Sequence, residues 1–103
     1  MSKSPKEQLL FTIGLARKAG KTAVGTDAVC DEIRKKNILL VLYAADVSEN
    51  TKKRITDCCT HYNINCHQAS ANKEELGAAI GKPFAACIGI SDHNLSELIS
   101  RNL

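Results

Sequence analysis

Apolar positions recur at three- and four-residue intervals over residues 6–19, where Leu9, Ile13 and Ala16 share a face with Leu10 beside them. That spacing predicts a helix. Gly20 follows as its stop, and Arg17 and Lys18 suit the negative end of the helix dipole. Thr22-Ala23-Val24 reads as a short strand. Thr26 is placed to cap a second helix, with Asp27 in its first turn and Val29, Cys30 and Ile33 as its buried stripe. Arg34-Lys35-Lys36-Asn37 closes that helix. The pattern then changes: Ile38-Leu39-Leu40-Val41-Leu42-Tyr43 is continuously apolar, as expected of a strand buried on both faces.

After a turn at Ala44-Ala45-Asp46-Val47, Ser48 is placed to cap a third helix running to Tyr62, with Ile55, Cys58, Cys59 and Tyr62 on one face. Cys66 to Ala69 predicts a third strand. Asn72-Lys73-Glu74-Glu75 is a capping box, Leu76 and Ile80 form an apolar pair, and Gly81 ends that helix. Ala85 to Ile90 is a second continuous apolar strand, and Ser91 is placed to cap a last helix carrying Leu95, Leu98 and Ile99. Five helices alternating with four short strands, with no linker or repeat between them, predict a single-domain three-layer α/β/α sandwich over residues 1–103. Its small four-stranded sheet, mixed in direction, has helices on both faces.

Composition changes this picture little. The 103 residues are 44% hydrophobic and 24% charged, ordinary for one globular domain. The longest apolar run, Ile38 to Ala45, is far short of a membrane span. The start Met1-Ser2-Lys3-Ser4-Pro5-Lys6 lacks the apolar stretch of a secretory signal, so a cytoplasmic location without membrane contact is expected. Charge is more informative once divided. Residues 1–54 carry 11 Lys/Arg against 6 Asp/Glu, and residues 55–103 carry 3 against 5. A basic half and a mildly acidic half suggest contact with a polyanion on one side, although Arg34-Lys35-Lys36 and Lys52-Lys53-Arg54 also read as solvated helix faces.

The chemistry-bearing residues exclude more than they assign. Cys30, Cys58, Cys59, Cys66 and Cys87 show no paired C-x-x-C spacing, and Cys30 and Cys87 sit in apolar settings where cysteine acts as a small hydrophobe. Cys58-x-x-His61 and Cys66-His67 could be assembled into a zinc site on paper, but isolated Cys and His at such spacings are usually core or surface residues, so neither metal nor cofactor is expected. His93 stands alone. Gly20-Lys21-Thr22 mimics the end of a phosphate loop, but five residues separate Gly14 from Gly20 where four are required, and the order is helix to strand. Asp46 and Asp92 follow apolar strands, where enzyme carboxylates often sit, yet no nucleophile, base and orienting group assemble around them. The chain does not read as an enzyme.

Three corners remain. Gly25-Thr26-Asp27-Ala28 opens a helix whose unpaired N–H groups can face an anion, with lysines close by. Ala45-Asp46-Val47-Ser48 is the second. The loop Gly81-Lys82-Pro83-Phe84 supplies a cation, a rigid proline and an aromatic ring for stacking on an unpaired base, unless Phe84 is a core residue opening the last strand.

In order and spacing, Gly14-Leu15-Ala16-Arg17-Lys18-Ala19-Gly20-Lys21, Gly25-Thr26-Asp27, Ala45-Asp46-Val47-Ser48-Glu49-Asn50-Thr51-Lys52-Lys53, Glu75-Leu76-Gly77 and Ile80-Gly81-Lys82 resemble the L7Ae/L30e ribosomal protein superfamily in its bacterial YlxQ-type branch. The resemblance spans nearly the whole chain. It implies an α/β/α sandwich that binds kink-turn RNA, with ribosomal RNA among the expected targets, and neither DNA nor a second subunit as partner. It places the RNA on Gly25, Thr26, Asp27, Ala28 and Asp31, on Ala45, Asp46, Val47 and Ser48, and on Lys82, Pro83, Phe84 and Ala85. The last of these segments would clasp an extruded nucleotide. Lys18, Lys21 and Lys52 flank these places as phosphate contacts.

This chain departs from the pattern where it matters for base reading. Asp27-Ala28 stands where such binders carry Asn-Glu or Lys-Gln, and Asp31 where they carry lysine. An ionised Asp only accepts hydrogen bonds and repels phosphate, whereas Asn can donate to guanine. The expectation is therefore an RNA-binding protein that reads shape and phosphate more than bases. The alternative is a protein-interaction adaptor that keeps the fold and binds RNA weakly.

Overall fold

A computed structural model describes residues 4–101 and 103; Met1-Ser2-Lys3, part of the start discussed above, and Asn102 lie outside the described residues. The elements follow in the order α1 (Pro5–Lys18), β1 (Thr22–Val24), α2 (Thr26–Arg34), β2 (Leu40–Tyr43), α3 (Glu49–His61), β3 (Asn65–Gln68), α4 (Lys73–Ala79), β4 (Cys87–Ile90) and α5 (His93–Ser100). The strand order is β1-β4-β2-β3. Among the described residues β2 and β3 run parallel and β4 is antiparallel to both β1 and β2, so the sheet is mixed as expected.

The continuous apolar strands are the central pair. Every residue of β2 and β4 is buried, whereas β3, at the edge, is mostly exposed. Two cores form on the two faces. Leu9, Ile13 and Ala16 of α1 pack with Leu76 of α4, Ile99 of α5 and the Leu40, Leu42, Ile88 and Ile90 side of the sheet. Val29 and Ile33 of α2 pack with Ile55 and Cys59 of α3 against Val41, Tyr43 and Cys87. Alternate strand residues thus serve opposite layers, which is why neither strand shows a polar face. Among the described residues, no helix is long and apolar enough to cross a membrane.

Several local expectations are corrected. Thr26 does not cap α2: Gly25 holds the cap position at φ 91°, ψ 155°, and no side chain caps the helix. The Thr26 hydroxyl instead hydrogen-bonds the Cys87 thiol. Asp92, not Ser91, caps α5 by accepting the Leu95 N–H at 2.9 Å. The Ser91 N–H is committed to the Lys21 carbonyl beyond the β1–β4 ladder. A capping box at the opening of α1, in which Ser4 and Glu7 bond reciprocally, adds to the one read from sequence at Asn72 and Glu75. Leu39, which precedes β2, Tyr62, at the C-cap of α3, and Leu98 of α5 are exposed, outside the apolar sets assigned to them.

Candidate nucleic-acid interface

The first corner is built by a glycine. At φ 91° the Gly25 backbone adopts a conformation that L side chains rarely take, and its N–H bonds the Cys87 carbonyl at 3.0 Å. The chain therefore leaves β1 and enters α2 in a single residue. Because Gly25 has no side chain, the N–H groups of the first turn of α2 lack a side-chain cap, and a helix opening in that state favours negative charge.

Beside this opening runs a groove of about 800 Å³ along β1. Ala28 forms part of its wall, and both Lys21 and Lys82 reach it. One acid also lines it, Glu32, which accepts from Asn37 Nδ2 at 2.7 Å and pairs with Lys35 at 3.8 Å. Lys21 enters from the α1–β1 turn and Lys82 from the α4–β4 loop, so the fold joins the first and third corners from opposite ends of the sequence.

The second and third corners are joined through one backbone segment. The Lys73 N–H donates to Asp46 Oδ1 at 2.8 Å, and the Lys73 carbonyl accepts from the Ala85 N–H at 2.9 Å. Ala45 is fixed by its own N–H on the Ala71 carbonyl. Asp46, Lys73, Glu74, Pro83 and Phe84 line a shallow hollow. The Phe84 ring is 66% exposed, which overturns the core alternative for it.

Other expected residues divide by position. Ser48 caps α3 by accepting the Thr51 N–H at 3.2 Å. Val47 is half-buried against both cores, and Ala85 is buried, so their side chains face inward. Lys52 is half-buried in the first turns of α3, and Lys18 is exposed at the end of α1 outside the groove lining. Asp46 and Asp92, considered above as enzyme carboxylates, are both engaged by backbone N–H groups. Among the described residues, no group of three His, Cys, Asp or Glu is arranged to hold a metal ion.

The carboxylates that break the family pattern are each engaged by an arginine. Asp31 accepts from Arg34 Nη1 at 3.1 Å. Asp27 accepts from the Arg54 guanidinium of α3, and this hydrogen bond raises the Arg54 pKa further. Arg54 was legible only as part of a charged run; no local spacing links it to a residue so distant in sequence. Arg17 was legible only as a helix-end charge, but its guanidinium lies against Gly81, where a Cβ would meet Nη2 at 3.1 Å.

Residues 7–99 match the model of the Ribosomal protein L7Ae/L30e/S12e/Gadd45 family. The chain is similar to the RNA-binding protein YlxQ of Bacillus subtilis (strain 168), 36% identical over 89 residues covering 85% of this chain and 88% of that protein. It is also similar to the RNA-binding protein YlxQ of Enterococcus faecium, 32% identical over 97 residues covering 94% and 92%. Among solved structures, a protein with unknown function from Bacillus halodurans C superposes with a TM-score of 0.85 at 29% identity, covering 92% of this chain and 95% of that one.

Proposed function

Since the chain belongs to the Ribosomal protein L7Ae/L30e/S12e/Gadd45 family, we propose that it binds structured RNA, of the kink-turn or a similarly bent kind, and catalyses no reaction. The observation that carries this reading is the uncapped opening of α2 beside a groove reached by Lys21 and Lys82. N–H groups and lysines there meet phosphate, while the exposed Phe84 and Pro83 receive an unstacked nucleotide. Two relatives named as RNA-binding proteins support the partner class. Recognition is by shape and phosphate, because Ala28 offers no polar group and the carboxylates of Asp27 and Asp31 are engaged by arginines.

The test is a titration of a kink-turn RNA, and of the same strands with the kink replaced by continuous duplex, across a salt series. The kinked form binds more tightly, and log affinity falls with log salt at a slope of roughly −3 to −5, as about four to six phosphate contacts require. Lys18→Ala and Lys21→Ala each make the slope shallower; Arg101→Ala, at the end of α5, does not. Equal binding of both RNAs removes the kink-turn reading. A flat salt response favours the adaptor reading, to which the engaged carboxylates of α2 also lend support.

A further inference from the structure

The contact between α2 and α3 carries two rungs one helical turn apart. Asp27 of α2 meets Arg54 of α3. Three residues further along α2 and four further along α3, the Cys30 and Cys58 thiols are hydrogen-bonded to each other. Steps of three and four residues return to the same helix face, so the ion pair and the two sulfurs lie on the facing sides of α2 and α3. Both cysteines also line one open hollow of about 400 Å³, with Arg34 and Arg54 in its wall and Asp57, His61 and Tyr62 as the other charged or titratable groups. Cys58 is partly exposed, whereas Cys30 is only 3% exposed.

We infer that Cys30 and Cys58 form a peroxide-oxidisable dithiol, a modification site that covalently ties α2 to α3. The site stands apart from the RNA reading and does not depend on it. Cys58, the more exposed of the two and open to the hollow, is the accessible nucleophile. The Cys58 sulfur attacks hydrogen peroxide and takes one oxygen; the O–O bond breaks and hydroxide leaves, giving a sulfenic acid. The Cys30 sulfur then attacks the Cys58 sulfur, forming the S–S bond. The sulfenic hydroxyl departs as water with the proton released from Cys30. Two thiols and one peroxide become one disulfide and two waters, both sulfurs being oxidised and the peroxide oxygens reduced. Burial, reinforced by the Cys58 hydrogen bond, pushes the Cys30 thiol up to about 11, which suits a resolving thiol that stays protonated until the sulfenic acid forms.

A second thiol contact sharpens the test. Cys59 of α3 donates to Cys66 of β3, but Cys59 is 1% exposed within the core beneath α3, and neither residue lines the hollow. The reduced full chain is treated with stoichiometric hydrogen peroxide, alkylated and digested with trypsin without reductant. Cleavage leaves Cys30 alone in the peptide 22–34 and Cys58, Cys59 and Cys66 together in the peptide 55–73. The expected product is these two peptides cross-linked, lighter than their sum by two hydrogens and separated by dithiothreitol. The cross-link is lost in Cys58→Ser and kept in Cys59→Ser; should the latter not fold, Cys66→Ser takes its place. A bond confined to the peptide 55–73, a cross-link that survives Cys58→Ser, or a chain carrying only sulfinic acid or no oxidation overturns the inference.

Discussion

Asp27 at the opening of α2 accepts a hydrogen bond from the Arg54 guanidinium of α3. One turn further along α2, Asp31 is held by Arg34 in the same manner. Both pairs are more than half exposed, so they add little to stability; their consequence is electrostatic. Both aspartates of α2 are thereby compensated by a cation, where the isolated sequence of that helix reads as acidic. The guanidinium groups also place hydrogen-bond donors beside residues that have none when ionised.

Replacing Asp27 with Asn removes the negative charge, introduces an amide donor of the same shape and releases Arg54. Affinity for a kink-turn RNA is expected to rise by about 1–3 kcal/mol, the scale of one base contact. The salt slope is expected to steepen by about 0.7–0.9 as one more cation becomes available. Arg54→Ala acts in the opposite direction by leaving the Asp27 carboxylate uncompensated. Fluorescence anisotropy over a salt series measures both variants, and unchanged affinity in Asp27→Asn would place that residue away from the RNA.

Phe84→Ala separates recognition from folding. A ring that is 66% exposed contributes little to the core, so thermal stability should change by no more than about 0.5 kcal/mol. RNA binding should weaken by about 1–3 kcal/mol through loss of one base stack. A large fall in melting temperature with unaltered binding of the folded fraction would reverse that assignment.

The two cores and the sheet were legible because their signals are periodic and local. Leu9, Ile13 and Ala16 define the inner face of α1 by spacing alone, and the unbroken apolar runs around Val41 and Ile88 mark the central strands. The capping residues proved less legible. Thr26 and Ser91 have the right side chains, but Gly25 and Asp92 occupy the positions, because the Thr26 hydroxyl and the Ser91 N–H are drawn to partners across the sheet. The candidate site was legible as three separate corners. What joins them, Lys73 between Asp46 and Ala85 and Arg54 on Asp27, depends on contacts between residues far apart in sequence, for which no local pattern exists.

The acid limb of stability should depend on Glu75. A hydrogen-bonded ion pair with Lys6 and the Asn72 N–H of the capping box hold its carboxyl below the ordinary value. A carboxyl whose pKa is lower in the folded state stabilises fully above its unfolded value, and loses that contribution as pH falls through the folded one. Unfolding in urea across this acidic window should therefore show a decline that is shallower in Glu75→Gln. Lys6→Ala should flatten it in part, since the Asn72 N–H remains. Identical acid limbs for all three chains would mean that the pairing does not persist in solution.

Gly77 decides whether the loop carrying Lys82 and Phe84 can lie against α4. A Cβ there would come within 2.5 Å of the Phe84 Cα, 2.6 Å of its N and 2.7 Å of the Lys82 carbonyl oxygen. All three are backbone atoms, which cannot turn aside as a flexible side chain can. The same contact region includes the Lys82 N–H on the Gly77 carbonyl at 2.8 Å, so the loop cannot retreat without losing that bond. Gly77→Ala is expected to cost about 1–3 kcal/mol of stability as overpacking. It should also weaken RNA binding of the fraction still folded, because Lys82, Pro83 and Phe84 move with the backbone that is displaced. Gly14→Ala in α1 is the control: its Cβ meets only the Ala79 carbonyl oxygen at 3.4 Å, and a helix-interior alanine should hold or raise stability by up to about 1 kcal/mol. Chemical denaturation paired with titrations at a temperature where each variant is folded distinguishes the two effects. Loss of stability in Gly77→Ala with RNA affinity intact would mean that the loop's position against α4 serves folding alone.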